Sequence, residues 1–531
     1  MRPRPALVVR VAAAVVAVAA VAVPVVADRD RTVPLTPAGD VGTLTPAPMP
    51  VLRPAAQLGA TWFCPGVAAG ADGPSGAIVL ANAGDQPTRI TLTITPSEGI
   101  AISQSLEVAA RARLEVDVST VAKARFAAAQ VETTSGNLVV EQRSAALLDD
   151  TAVGQAVSPC ATAPSQTWYL ADGATTTDAQ DTLLVYNPFP DQATISMVFA
   201  DDGGVRRPPS FQRKPVPPRS LAVVTIDSVV QRKQQVSVAV TADAGRVVVG
   251  RQQVYKTKPR RTLVAGLAAP SAGTQWIFAD VEVKGGDEVG SAATSFAIYN
   301  PNDLSADVTV RLLPAAGNPA AGVDAAEPAT AGADATASTA AVDPADPTGG
   351  ATPVGGAPAV FGVPVTVTVP AGGSLLVPVN GTDNVPDGVY SALVVASAGQ
   401  PVVVERLLRR TGDPRVVTTV QLGSRLLSRT WQFAATPPAG WSSVLIVANP
   451  SPTPATVTVK TLGPAGLVPV KDLSDVTVPA GGTVRWDLDG LGAGAAPVVV
   501  TADVELVAER LLSAPTGQPG ATITYGIPAG T

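Results

Sequence analysis

The chain has 531 residues and a mass of 53.4 kDa, with 37 Lys plus Arg against 43 Asp plus Glu, a net charge of −6 and only 15% charged residues. It contains no histidine and only two cysteines, which excludes a Ser-His-Asp or Cys-His catalytic set, a His-ligated metal and a CxxC redox centre, so no cofactor is expected. The acidic balance speaks against nucleic acid as a partner, and at about 100 to 200 residues per domain the length calls for three to five domains.

Arg2, Arg4 and Arg10 precede a stretch of seventeen uncharged residues, 11–27, after which Asp28, Arg29, Asp30 and Arg31 restore polarity. That is the pattern of an export signal with its basic end in the cytoplasm. The apolar run exceeds a usual signal core of about 7 to 15 residues. Including residues 7–9, with Arg10 snorkelling to the headgroups, makes it long enough to span a bilayer. The preferred reading is one N-terminal transmembrane helix over residues 1–27 that anchors the protein in the cytoplasmic membrane. The alternative is cleavage after Ala27 and secretion. Either reading puts residues 28–531 outside the cytoplasm, with 28–59 as a Pro/Thr-rich linker. In that setting Cys64 and Cys160 are expected to form a disulfide, tying the entrance of the first domain to the junction after it.

From residue 60 on, the chain repeats itself four times. Each copy opens on an aromatic segment carrying Trp62, Trp168, Trp276 or Trp431, the core filler of its copy. An apolar strand follows and ends in Asn82, Asn187, Asn300 or Asn449, three of them followed by Pro. The Asn starts a turn by bonding the backbone just beyond it. Residues 370–373 and 479–482, both Pro-Ala-Gly-Gly, are two versions of one hairpin turn. Each copy closes on a valine-rich strand carrying Arg143, Arg251, Arg406 or Arg510, 61, 64, 106 and 61 residues after the Asn.

The long third copy contains residues 315–358, rich in Ala, Gly, Pro and Thr with five acidic and no basic residues. Such a composition cannot offset the entropy of ordering, so it is expected to be a disordered insert between two strands. Period-two alternation with about seven strands per copy predicts an all-β chain of four tandem immunoglobulin-like β-sandwich domains, 60–163, 164–262, 263–425 and 426–531.

The closing strands also carry Glu141, Glu405 and Glu509, the residues on which a His-independent glycan hydrolase would have to rest. A residue recurring at one architectural position serves the domain. The second copy has Gly250 there, and carboxylates in separate sandwiches are expected tens of ångströms apart. No SxxK, GxSxG or Walker pattern occurs. No catalytic activity is therefore expected.

Residues 168–261 hold 13 Lys plus Arg against 8 Asp. Arg206, Arg207, Arg213, Lys214, Lys256, Lys258, Arg260 and Arg261 are candidate contacts for an anionic envelope polymer, lipid headgroups or an acidic partner. Trp441 and Trp486 occur in one copy only, so the repeat does not account for them, and they are candidates for stacking on a glycan. Asn380-Gly381-Thr382 matches a glycosylation acceptor.

Residues 167–173 (TWYLADG), 183–188 (LLVYNP) and 402–406 (VVVER) resemble the "WYFAEG … LLLxNPN … VVER" β-sandwich repeats of exported bacterial surface proteins. The layout is similar to an actinobacterial family of exported or membrane-anchored proteins of unknown function. The first copy departs from it, with Ala83 in place of the Pro and Cys64 in the aromatic opening. The resemblance implies tandem sandwiches and no activity. The resulting expectation is a non-catalytic extracytoplasmic scaffold or interaction protein of the cell envelope, with cell-wall polymer or envelope proteins as partners. The alternative is a carbohydrate-binding protein.

Overall fold

The computed structural model describes residues 49–54, 59–71, 73–148, 151–227, 230–256, 262–286, 288–315, 364–379, 385–412, 416–463, 465–515, 518 and 520–529, all within one compact unit, Pro46–Thr531. The helix expected over residues 1–27, residues 316–358 of the insert, Lys258, Arg260, Arg261 and Asn380 to Thr382 lie outside the described residues. Among the described residues no helix is long and apolar enough to cross a membrane. Apart from two three-residue 3₁₀ turns their regular structure is all-β.

The first copy has eight strands: β1 (Ala60–Ala69), β2 (Ala77–Asn82), β3 (Thr88–Pro96), β4 (Ile102–Val108), β5 (Ala112–Asp117), β6 (Ala124–Thr133), β7 (Leu138–Leu148) and β8 (Thr151–Pro159). They form two antiparallel sheets, β1-β6-β3-β4 and β5-β2-β7-β8. Alternation sets the faces of β3: Ile90, Leu92 and Ile94 are buried while Arg89, Thr91 and Thr93 turn outward. Strand β2 is buried along its whole length, which is why it is continuously apolar. Trp62, Leu80, Leu92 and Val140 from the two sheets meet in one core.

The same strand order recurs over residues 167–267, 275–422 and 428–525. In the fourth copy the sixth and seventh strands merge into Val498–Ser513, which joins both sheets. The second strand pairs with the fifth and the third with the sixth, as in an immunoglobulin sandwich. The first and seventh strands exchange places: the first lies beside the sixth and the seventh beside the second.

Three details differ from the sequence expectation. The second copy has nine strands rather than about seven, because Lys214–Val216 is too short to show alternation and Thr262–Leu267 reads as the start of the next copy. Thr262–Leu267 in fact pairs with Val248–Tyr255, the closing strand of the second copy. In the first copy Gln142, and not Arg143, holds the position of Arg251, Arg406 and Arg510: the register sets Gln142 against Ile78, four residues before Asn82, as Arg251 stands against Leu183, four before Asn187. Around the insert, Ala306–Pro314 and Val365–Val369 are antiparallel neighbours, so it extends a hairpin.

The repeated Asn does more than start a turn. In the second copy the Asn187 Nδ2 donates to the carbonyls of Asp191, Val216 and Pro217, and its Oδ1 accepts from the Phe189 N–H. Asn82, Asn300 and Asn449 make the same four bonds. Each Asn thus staples two turns at one end of its copy. The stapled hairpin needs a residue at positive φ. Gly372 and Gly481 supply it at +62°, while the first two copies place Arg111 and Arg219 there at +55° and +46°. The four opening tryptophans are buried, as expected of core fillers. The expected disulfide is present: Cys64 and Cys160 are bonded with Cα atoms 4.5 Å apart.

The four copies close on one another. The strands that follow the four closing strands, β8, Thr262–Leu267, Val416–Leu422 and Ala521–Tyr525, converge on a cavity of about 30 Å³. The fourth copy returns to the first, where the Val157 N–H donates to the Thr522 hydroxyl at 3.0 Å and the Leu52 N–H to the Pro528 carbonyl at 2.8 Å.

Candidate functional site

The polar chemistry buried in this unit sits in the seams between copies, and the closing strands build it. Alternation turns Glu405 and Arg406, adjacent in sequence, to opposite faces of one strand. Each therefore serves a different seam.

At the seam of the second and third copies, the Glu405 carboxylate accepts from the Asp172 N–H at 2.6 Å and from Arg251 Nη2 at 3.1 Å, and Arg251 Nη1 donates to the Asp172 carbonyl. At the seam of the third and fourth copies, Glu509 accepts from the Ala279 N–H at 2.9 Å and from Arg406 at 3.0 Å, and Arg406 donates to the Asp280 carbonyl. At the seam of the fourth and first copies, Glu141 accepts from the N–H groups of Ala434 and Ala435 at 2.9 and 2.6 Å, and Arg510 donates to the Ala435 carbonyl at 2.9 Å. The Glu of one copy thus clasps the opening loop of its neighbour, whose own Arg holds that loop from behind. These pairs are buried, so their partners offset a large desolvation cost.

The seam of the first and second copies has none of the three parts. Pro65 stands at the irregularity of the opening strand β1, between Cys64 and Val67, where it has no N–H to give. Opposite it is Gly250, where a Cβ would lie 2.5 Å from the Pro65 Cγ. Gln142 replaces the Arg and accepts from the Gly66 N–H at 3.3 Å.

Burial dominates the electrostatics. It pushes the Glu141 carboxyl up to about 7, although the Ala435 amide and Arg510 pull it down. It raises Glu509 as well, against Arg406, and holds Arg510 down at about 10. Near Arg251, burial lifts Asp172 to about 6 and Asp181 to about 8, with Arg251 opposing both. Neither Asp181 oxygen has a hydrogen-bond partner among the described residues.

Carboxylates of different copies do come together, contrary to the separation expected from sequence: Asp172, Asp181 and Glu405 all act on Arg251. The tandem copies fold back on one another instead of standing apart. The three acids are sealed from solvent, and the adjoining 30 Å³ cavity has room for about one water and none for a sugar ring.

The candidate cations are only partly gathered. Arg206, opposite Phe199, and Lys214, opposite Ile195, line one edge of the strand Ala193–Asp201, with exposed Arg207 and Arg213 beside them. Arg206 is paired with Asp201 at 2.8 Å, and Lys233 bridges Asp201 and Asp202. Lys256 follows a strand of the other sheet. Trp441 and Trp486 are half-buried against two different cores and do not form one platform. Sequence reasoning missed the seam contacts of Glu141, Glu405 and Glu509. The signal was the joint loss in one seam of the Glu (Gly250), the Arg (Gln142) and the N–H (Pro65).

No curated protein matches the chain. One similar solved structure is titled "Crystal structure of tetra-tandem repeat in extending region of large adhesion protein"; it is 13% identical, covers 85% of this chain and 94% of its own, and has a TM-score of 0.09, too low to carry an argument. A family model matches residues 138–351 and 427–508, more than half of the sequence, and it spans repeat elements from the second, third and fourth copies. The chain therefore belongs to the family described as "Family of unknown function (DUF5719)".

Proposed function

We propose that this is a non-catalytic scaffold or interaction protein of the cell envelope. Four immunoglobulin-like sandwiches with exchanged edge strands stand outside the cytoplasm, anchored by an N-terminal helix over residues 1–27. An actinobacterial source fits the repeat phrases. The observation that carries this reading is the use of the recurrent acids: Glu141, Glu405 and Glu509 are each spent on a neighbouring copy's backbone. What remains for function is the outer surface, where the exposed cations of the second copy favour an anionic partner. Because the copies close on themselves into one compact unit, that surface offers several faces of a single body.

The test is to mix the purified protein with protein-stripped cell wall and with detergent-solubilised envelope proteins, and to identify what is retained. Saturable retention of a defined component that weakens on Arg207→Glu with Arg213→Glu is expected. Retention on neither preparation, or turnover of an envelope glycan, overturns the proposal. Retention on stripped wall alone favours the polymer-binding alternative, for which Trp441 and Trp486 are the next residues to change.

A further inference from the structure

Three seams contain an equivalent place, six residues after the opening Trp of one copy and five after its closing-strand Glu, or after Gly250 in the second copy. In the third copy these positions are Glu282 and Arg410, which pair at 2.6 Å, and Glu282 also pairs with Arg485 of the fourth copy. The space there is filled with ions, and burial notwithstanding, Arg410 and Arg485 hold the Glu282 carboxyl down at about 2. At the seam of the second and third copies an apolar group fills the space, with Ala174, Tyr255, Leu407 and Val420 packed together.

In the first copy the two positions are Ala68 and Ala146, and the space is open. A cavity of about 180 Å³ lies between the first and second copies. Its floor is apolar, made by Ala68, Ala146 and their neighbours, and the wall from the second copy carries Gln180, Thr182 and Gln252. The corresponding wall of the fourth copy has Ser442, Val444 and Leu511. Arg125 reaches the cavity with its guanidinium 5.4 Å from the centre of the Phe126 ring, and none of the salt bridges among the described residues involves it. One wall is cut back to alanine, the facing wall is made polar and a cation is left at the edge.

We propose that this seam cavity binds an acidic monosaccharide unit, free or at the end of a polymer. The carboxylate meets the Arg125 guanidinium, whose fork of donors suits it. The ring hydroxyls meet Gln180, Gln252 and Thr182, which both donate and accept as hydroxyls do. The C–H face of the ring lies on the alanine floor. The volume equals about six waters at about 30 Å³ each, which suits a single ring and is below the size of a drug-like site. The site is independent of the scaffold reading, which concerns the outer surface.

The test is calorimetric titration of the full chain with glucuronate, glucose and hexanoate. Glucuronate is expected to bind at least about tenfold more tightly than either of the others, since only it offers both the charge and the hydroxyls. Arg125→Gln is expected to remove that advantage over glucose, and Ala146→Leu to abolish binding by filling the cavity. Intrinsic tryptophan fluorescence melting checks the fold of both variants. Ala68→Val, on the same floor, takes over if Ala146→Leu does not fold. Absence of glucuronate binding, equal binding of glucose, or undiminished binding in the cavity-filled variant overturns the proposal. The scaffold reading is tested by the Arg207→Glu with Arg213→Glu variant on envelope preparations and this site by Arg125→Gln and Ala146→Leu in calorimetry, so the two proposals fail separately.

Discussion

The Glu141 carboxylate and the Ala435 backbone N–H are 294 residues apart in the chain and 2.6 Å apart in space. That bond and its companion to Ala434, together with the Val157–Thr522 and Leu52–Pro528 bonds, make a row of four repeats into a closed cycle. Glu141→Ala leaves two buried N–H groups without acceptors and is expected to cost about 2 to 4 kcal/mol. Glu141→Gln keeps an acceptor oxygen and should cost less than half as much. Denaturant unfolding of the three proteins checks the order, and equal losses for Ala and Gln would remove the acceptor role.

The seam between the first and second copies can be rebuilt. Gly250→Glu alone collides with Pro65 and finds no N–H, so it should destabilise by about 2 kcal/mol or more. Combined with Pro65→Ala it regains both space and a donor, and a double-mutant cycle should return a favourable coupling of about 1 to 2 kcal/mol. Additive losses would mean that position 250 does not face position 65.

Buried acids with raised pKa values set the pH response. Between the ordinary values, 4.5 for Glu141 and 3.8 for Asp172 and Asp181, and their folded values of about 7, 6 and 8, the folded protein holds protons that the unfolded chain releases. Stability from these groups is therefore present at low pH and is lost as pH rises from about 4 to 8. Glu282, held at about 2, acts the other way but only below about pH 4.5. Melting temperatures should be higher at pH 5 than at pH 8. Asp181→Asn should narrow the difference, since burial above all raises the Asp181 carboxyl, with Asp172, Asp227 and Glu405 adding to it against Arg251. A melting temperature that rises from pH 5 to pH 8 would contradict this.

The Asn staple predicts a loss that does not depend on the copy. Asn300→Ala removes five hydrogen bonds from a buried side chain and leaves three carbonyls, the Asn302 backbone N–H and the Asn302 side-chain amide each short of a partner, a cost of about 2 to 4 kcal/mol. Asn300→Asp keeps the acceptor but loses the three donor bonds, and so should recover little. Thermal melts of both variants decide it, and full recovery by Asp would show that the turn alone matters.

The residues legible from the sequence were those whose work is local. A tryptophan that fills its own copy, an Asn that caps the next turn and a Cys pair in an otherwise cysteine-free chain announce themselves by type and spacing. The seams were not legible, because strand pairing and side-chain alternation say nothing about which copy lies across from which. Arg143 illustrates the limit. It has the residue type expected of the closing position, and only the register against Ile78 shows that Gln142 stands there and that Arg143 pairs with Glu115. The strand after the closing strand, Thr262–Leu267 in the second copy, escaped for a related reason: it belongs to one copy by hydrogen bonding and touches the others by packing.

Closure also imposes an order of assembly. A chain emerging from its amino end can complete the first two seams one at a time, each new copy adding a single neighbour. The fourth copy instead settles against two neighbours together, and until it does the Glu141 carboxylate and the Leu52 segment have no mates. Long-range pairing of that kind is slow to nucleate. The last hundred residues therefore carry a disproportionate share of the cooperativity, and a chain halted before them would retain three formed repeats with two raw faces.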